Sequence, residues 1–223
     1  IFLAAGLYTF GNALVFDRLY IAILIFACWL CRKEWNLLTV IAIIALERIV
    51  EEIAWLNLNN EYLVKLPLYC LCTYVIYKFS QGAFRWYCFV CVGMVYSSEI
   101  YWTLTNYDGP EIYWHVYYLS QTLVIRWLFV HRCFMLSNAI ADKYPGRAKS
   151  LDLDFVLANL MTIYAVLSTF QQIEYMLRHS LGLHNIDVVY AVYPYLTHGL
   201  STFILYAVFL SSIKFKQLNS LNA

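Results

Sequence analysis

NLLTVIAIIALERIVEEIAWLNL, residues 36–58, is an apolar run long enough to cross a bilayer, yet it carries Glu47, Arg48, Glu51 and Glu52. A helix needs about 20 mainly apolar residues to cross ~30 Å of hydrocarbon. Charges at that depth are expensive unless paired, hydrated or neutralised, and by default they mark a functional site. At 100° per residue, Glu47, Arg48, Glu51 and Glu52 occupy an arc of about 140°. Leu46, Ile49, Val50 and Ile53 fill the other side. The charged arc is therefore expected to face protein or water and the apolar arc to face lipid. Arg48 is placed to pair with Glu51 or Glu52 along the helix.

The rest of the chain agrees with that reading. Of its 223 residues, 62% are hydrophobic, 18% aromatic and 13% charged, against about 25% charged in ordinary soluble domains. A chain this apolar is expected to be an all-α polytopic transmembrane bundle, since helices satisfy their own backbone in lipid. Six spans are legible: Asn36–Leu58, Tyr62–Phe79, Ala83–Thr105, Glu111–Met135, Leu151–Arg178 and Ile186–Ile213. Short polar separators make neighbours antiparallel. Asp108-Gly109-Pro110 reads as a turn in which glycine supplies positive φ and proline resists helix continuation. The first thirty-one residues either form one span from about Gly11 to Cys31, or two short segments about a turn at Phe16-Asp17. The first gives seven spans and is preferred, because Leu19–Cys31 is too short to cross; the second gives eight. Residues 1–223 then form a single transmembrane domain, with no room for a separate soluble catalytic domain.

Lysine and arginine placement sets orientation. Arg32, Lys33, Lys78, Arg85, Arg132, Lys143, Arg147, Lys149, Lys214 and Lys216 fall at one set of alternate loops and at the C-terminus. The opposite loops hold mainly Lys65 and Arg178, with Glu61, Asp108, Glu111 and Asp187. The C-terminus and the one long loop, residues 136–150, are thus expected in the cytoplasm, in a multi-pass protein of the plasma (inner) membrane. The loop segment Lys143–Lys149 is either a connector resting on headgroups or a dock for a cytoplasmic protein. A homo-oligomer is a further expectation. The formal charge of +1 argues against a nucleic-acid partner. Ile1 is not a natural start residue, so further chain is expected before it; no signal peptide with a cleavage site is legible.

Several spans turn polar groups toward one half of the bilayer. Glu99 follows Ser97 and Ser98. His115, Tyr118, Thr122 and Arg126 share a helix face, and Arg126 is at a depth to reach Glu47. Gln171 and Glu174 stand three residues apart. Asp187, Tyr190, Pro194, His198 and Ser201 form a stripe. The candidate ligand or ion site is therefore Glu47, Arg48, Glu51, Glu52, Glu99, His115, Arg126, Gln171, Glu174 and His198. Glu47, Glu51, Glu52, Glu99 and Glu174 outnumber Arg48 and Arg126, and that acid excess suits a proton, a metal ion or a cationic solute. Buried ion pairs that merely lock a bundle are the plain alternative.

Three functions follow in order. One is a small transporter or channel for protons, metal ions or a cationic solute. Another is a sensor or scaffold subunit that binds an outer ligand and reports to a cytoplasmic partner. The third is a metal-dependent intramembrane enzyme using Glu51, Glu99, His115 and His198, for which no H-E-x-x-H spacing exists. Enzymatic activity is thus the less favoured expectation, and no cofactor is indicated. Cys28-x-x-Cys31 and Cys88-x-x-Cys91 lie in apolar segments, where cysteine acts as a small hydrophobe.

Two families are excluded on single residues. Seven spans with an outside N-terminus resemble rhodopsins, but Ile186–Ile213 lacks the lysine a retinal Schiff base needs. Glu51-Glu52 resembles the start of the Glu-Glu-x-x-x-Arg pattern of intramembrane CAAX-type proteases, but Leu56 stands where the arginine belongs.

Overall fold

The structure, a computed structural model, describes residues 2–58, 61–109, 111–140 and 148–221. The described residues form eight helices and no strand: α1 (Phe2–Thr9), α2 (Ala13–Leu30), α3 (Trp35–Asn57), α4 (Tyr62–Phe79), α5 (Gly82–Thr105), α6 (Tyr113–Ile140), α7 (Asp152–Ser180) and α8 (Val188–Leu221). The six segments expected as spans correspond to helices α3–α8, with most ends displaced by a few residues and α8 running eight residues past Ile213. Most of the basic loop segment, residues 141–147, lies outside the described residues.

The N-terminal region follows the preferred reading of one helical segment from about Gly11 to Cys31, with a short helix added before it. The break falls at Phe10–Asn12, not at Phe16-Asp17. Asn12 starts α2 by accepting the Val15 amide on its side chain at 3.2 Å, which satisfies one of the amides that a helix start leaves open. Asp17 and Arg18 then sit one turn inside α2, and α1 precedes it as an extra helix. Eight residues rise about 12 Å, too little to cross a bilayer.

A second difference concerns the connection after α5. Its positive φ is taken by Asn106 (φ 50°), which closes α5 while the Tyr107 amide returns to the Trp102 carbonyl at 2.9 Å. Asparagine tolerates that conformation because its short side chain bonds locally. Gly109 is needed for another reason: a Cβ there would come within 2.4 Å of the Trp102 ring.

Three helical segments, Tyr113–Ile140, Asp152–Ser180 and Val188–Lys214, are long and apolar enough to cross a membrane, compatible with a multi-pass protein. α3 is long enough, but its four charges set it apart. Over residues 46–53 its side chains are arranged inside out. Leu46, Ile49 and Ile53 are 47%, 56% and 54% exposed, while Glu47, Arg48 and Glu51 are half-buried. Glu52, at the edge of the charged arc, is exposed. Water would reverse that order; lipid favours it.

The chain divides into two compact units. Unit 1 comprises Ile1–Val50, Ile125–Leu160 and Tyr195–Ala223. Its buried apolar residues include Leu24, Ala27, Leu37, Ile41, Ile44, Phe129, Leu157, Ile204 and Val208. Unit 2 comprises Glu51–Val124 and Met161–Pro194. Its core is built on one face of α6, where Ile112, Tyr113, Val116, Leu119 and Leu123 pack with Ile76, Cys88, Val92, Val95, Trp102 and Ala165. In lipid such packing gains dispersion energy rather than a hydrophobic driving force. The small Cys88 and Ala165 side chains allow the helices to approach. All seven cysteines are unbridged.

Candidate functional site

Unit 1 holds Glu47, Arg48, Arg126 and His198; unit 2 holds Glu51, Glu52, Glu99, His115, Gln171 and Glu174. The candidate residues thus fall in both units, each with its own polar chemistry.

In unit 1, Glu47, Arg48 and Arg126 are half-buried, and each is engaged by a partner. The Arg48 guanidinium lies 4.7 Å from the centroid of the Tyr20 ring, a cation–π contact. His198 donates from Nε2 to the Gly6 carbonyl at 2.6 Å and is flanked by the Phe10 and Phe16 rings. The accepted carbonyl is one that the last turn of α1 leaves open. α1 approaches α8 so closely here that a Cβ on Gly6 would lie 2.8 Å from the Thr202 hydroxyl.

The densest polar arrangement of unit 1 involves Arg132, a residue the sequence suggested as a loop charge. It is 1% exposed, and all five of its N–H groups are used. Nε and Nη2 donate to the two Asp154 oxygens at 2.5 and 2.7 Å. Nη1 donates to the Asn36 carbonyl and the Thr39 hydroxyl, both at 3.0 Å, and Nη2 also donates to the Lys149 carbonyl at 2.7 Å. The Lys149 amide donates to Asn36 Oδ1 at 2.7 Å. Asp154, in the first turn of α7, also accepts the Leu151 amide at 2.9 Å. A bidentate guanidinium–carboxylate pair with every donor satisfied is the form in which a buried charge is tolerated. It ties the start of α3, the end of α6, the start of α7 and the root of the long loop together.

In unit 2, Glu99 is not an open carboxylate. Lys65 Nζ donates to it at 3.0 Å and the Tyr69 hydroxyl at 2.9 Å. Lys65 is 6% exposed, not a loop lysine in water. Glu174, 3% exposed, accepts the Val189 and Tyr190 amides, each at 2.7 Å. It therefore caps the start of α8, where unpaired N–H groups attract negative charge. Glu99 thus has Lys65 as its counter-charge, and Glu174 has the open amides of a helix start.

Sequence reasoning named His115 and Gln171 but missed Gln172, which joins them in a set of neutral polar atoms without partners. His115 Nδ1, Gln171 Oε1 and Gln172 Oε1 are buried without a hydrogen-bond partner. Gln171 and Gln172 are 5% and 0% exposed. Gln172 donates from Nε2 to the His115 carbonyl at 2.9 Å, which fixes its amide orientation and leaves Oε1 as the open acceptor. The His115 ring packs on Tyr175 at 4.9 Å, and Tyr175 contacts Tyr190 at 6.2 Å. Three residues along α6 from His115, Tyr118 donates to Glu51 at 3.3 Å. Glu51, His115 and Gln172 are therefore linked across α3, α6 and α7 within unit 2. A second glutamine beside the predicted Gln171 was the available sequence signal.

Among the described residues no three His, Cys, Asp or Glu side chains gather as metal ligands. No protein-family model, curated protein or solved structure matches the chain.

Proposed function

We propose that this protein is a seven-span integral membrane protein of the plasma membrane that admits a small cation or cationic solute from the non-cytoplasmic side. α2–α8 are the spans, each of 18 residues or more. The lysine and arginine distribution favours a cytoplasmic C-terminus.

The observation that carries the functional reading is the trio of buried acceptors at His115 Nδ1, Gln171 Oε1 and Gln172 Oε1. A buried polar atom without a partner is costly, so water or a ligand is expected there. Acceptors without formal charge suit a cation that must be bound and released. They replace its lost hydration without holding it as a full ion pair would. Glu51 and the exposed Glu52 supply negative charge at the end of α3 where entry is proposed. His198 is left off the route because its Nε2 proton is held by the Gly6 carbonyl.

Proteoliposomes loaded with a potential-sensitive dye test this reading with protons, sodium, potassium, guanidinium and choline offered in turn. The wild-type protein is expected to move at least one of them. Gln171→Leu and Gln172→Leu are each expected to cut that flux tenfold or more while the folded yield is kept. No flux of any of these cations, or undiminished flux in both variants, would overturn the proposal.

A further inference from the structure

We infer that Glu51, Trp55, Trp114 and Tyr118 form a recognition site for an organic ammonium group, which would name the solute class of the proposed route and rests on that reading. The four residues make a two-rung ladder within unit 2. Glu51 and Trp55 are four apart on α3, and Trp114 and Tyr118 are four apart on α6, so each pair shares a helix face. The helices are locally antiparallel. Tyr118 meets Glu51, its hydroxyl donating at 3.3 Å. Trp55 meets Trp114, with ring centroids 4.8 Å apart and planes inclined at 35°. Trp114 and Tyr118 rings are 6.0 Å apart, and Tyr117 adds a ring 5.8 Å from Trp114 at 87°. A carboxylate, oriented by a phenol, thus stands beside a tilted wall of indoles.

The chemistry discriminates among cations. An alkylated ammonium has no strong need for oxygen ligands, and it gains from aromatic faces within about 6 Å of its charge. A metal ion needs several oxygen or nitrogen ligands, and no group of three His, Cys, Asp or Glu is present among the described residues. One carboxylate beside two indoles matches the first requirement. Trp55 is 62% exposed, so part of its ring is open to an incoming group. The same ammonium chemistry is presented by free choline and by a phosphatidylcholine headgroup.

The test uses the full chain in nanodiscs of phosphatidylglycerol, with intrinsic tryptophan fluorescence titrated by choline against potassium at matched ionic strength. A saturable change with choline and none with potassium is expected. Trp55→Leu and Glu51→Gln are each expected to weaken choline about tenfold, and Trp55→Phe to weaken it less, which guards against loss through misfolding. Choline and potassium acting alike, or both variants binding as wild type, would overturn the inference. Repeating the titration in phosphatidylcholine discs separates the sources. Unchanged affinity assigns the site to a free solute, and suppressed affinity assigns it to the headgroup. Potassium or proton flux without choline binding removes this inference and keeps the transport reading. Choline binding without flux of any cation keeps the site and removes transport.

Discussion

Arg132→Met is expected to lower the unfolding free energy by about 3–5 kcal/mol, the range found when one partner of a buried ion pair is removed. The variant leaves Asp154, a largely buried carboxylate, with the Leu151 amide as its remaining hydrogen bond among those described above. It also strips a donor from the Asn36 and Lys149 carbonyls and from the Thr39 hydroxyl. Thermal unfolding in detergent, followed by helical circular dichroism, should show a midpoint lower by roughly 10 °C or more for a chain of this size. Arg132→Met combined with Asp154→Asn should recover part of the loss, because no uncompensated charge then remains. A single variant within a degree or two of wild type would mean that the cluster holds nothing together.

Lys65→Met should be nearly as damaging, at about 3 kcal/mol. Lys65 and Glu99 form their pair with side chains 8% and 15% exposed, and removing the ammonium leaves the carboxylate with Tyr69 alone from that pair of donors. Glu99→Gln should cost less, since its one amide oxygen still accepts from Tyr69 or Lys65 and no buried carboxylate is left unpaired. Adding Glu99→Gln to Lys65→Met should restore most of the stability, and a double-mutant cycle should give a coupling of about 1–3 kcal/mol. Additive losses would show that the two side chains stand independently.

The helices were legible because apolar runs and polar breaks set them. α4 begins and ends where its sequence does, between the Asn57–Glu61 polar stretch and Ser80. The inward and outward faces of α3 were legible for the same reason: Glu47 and Glu51 recur with helical spacing opposite Ile49 and Ile53. The partners were not legible, because periodicity assigns a face but not the neighbour it meets. Lys65 lies 34 residues from Glu99, and Arg132 lies 22 from Asp154. Each was counted as a loop charge because its aliphatic stem, which lets it reach an acidic group inside the bundle, leaves no mark in a hydropathy pattern. The partners of Glu174 were not legible for a different reason. Its counter-charge is a helix terminus, made of backbone amides that no side-chain inventory contains. Asp17-Arg18 does not break α2, because a charged pair one turn inside a helix end is readily hydrated or paired; the short α1 before it has no mark in the hydropathy pattern. The open acceptors of Gln171 and Gln172 emerge only when the surrounding hydrogen bonds are assigned atom by atom.

The account depends on α3 standing in lipid with its apolar arc outward, and nitroxide scanning tests that most directly. With the seven native cysteines replaced by alanine or serine, a spin label is placed in turn at Leu46, Ile49 and Ile53 of the reconstituted protein. At all three positions, relaxation by dissolved oxygen should exceed relaxation by a water-soluble nickel chelate. Stronger relaxation by the nickel chelate at these positions would put that face in water and contradict the account.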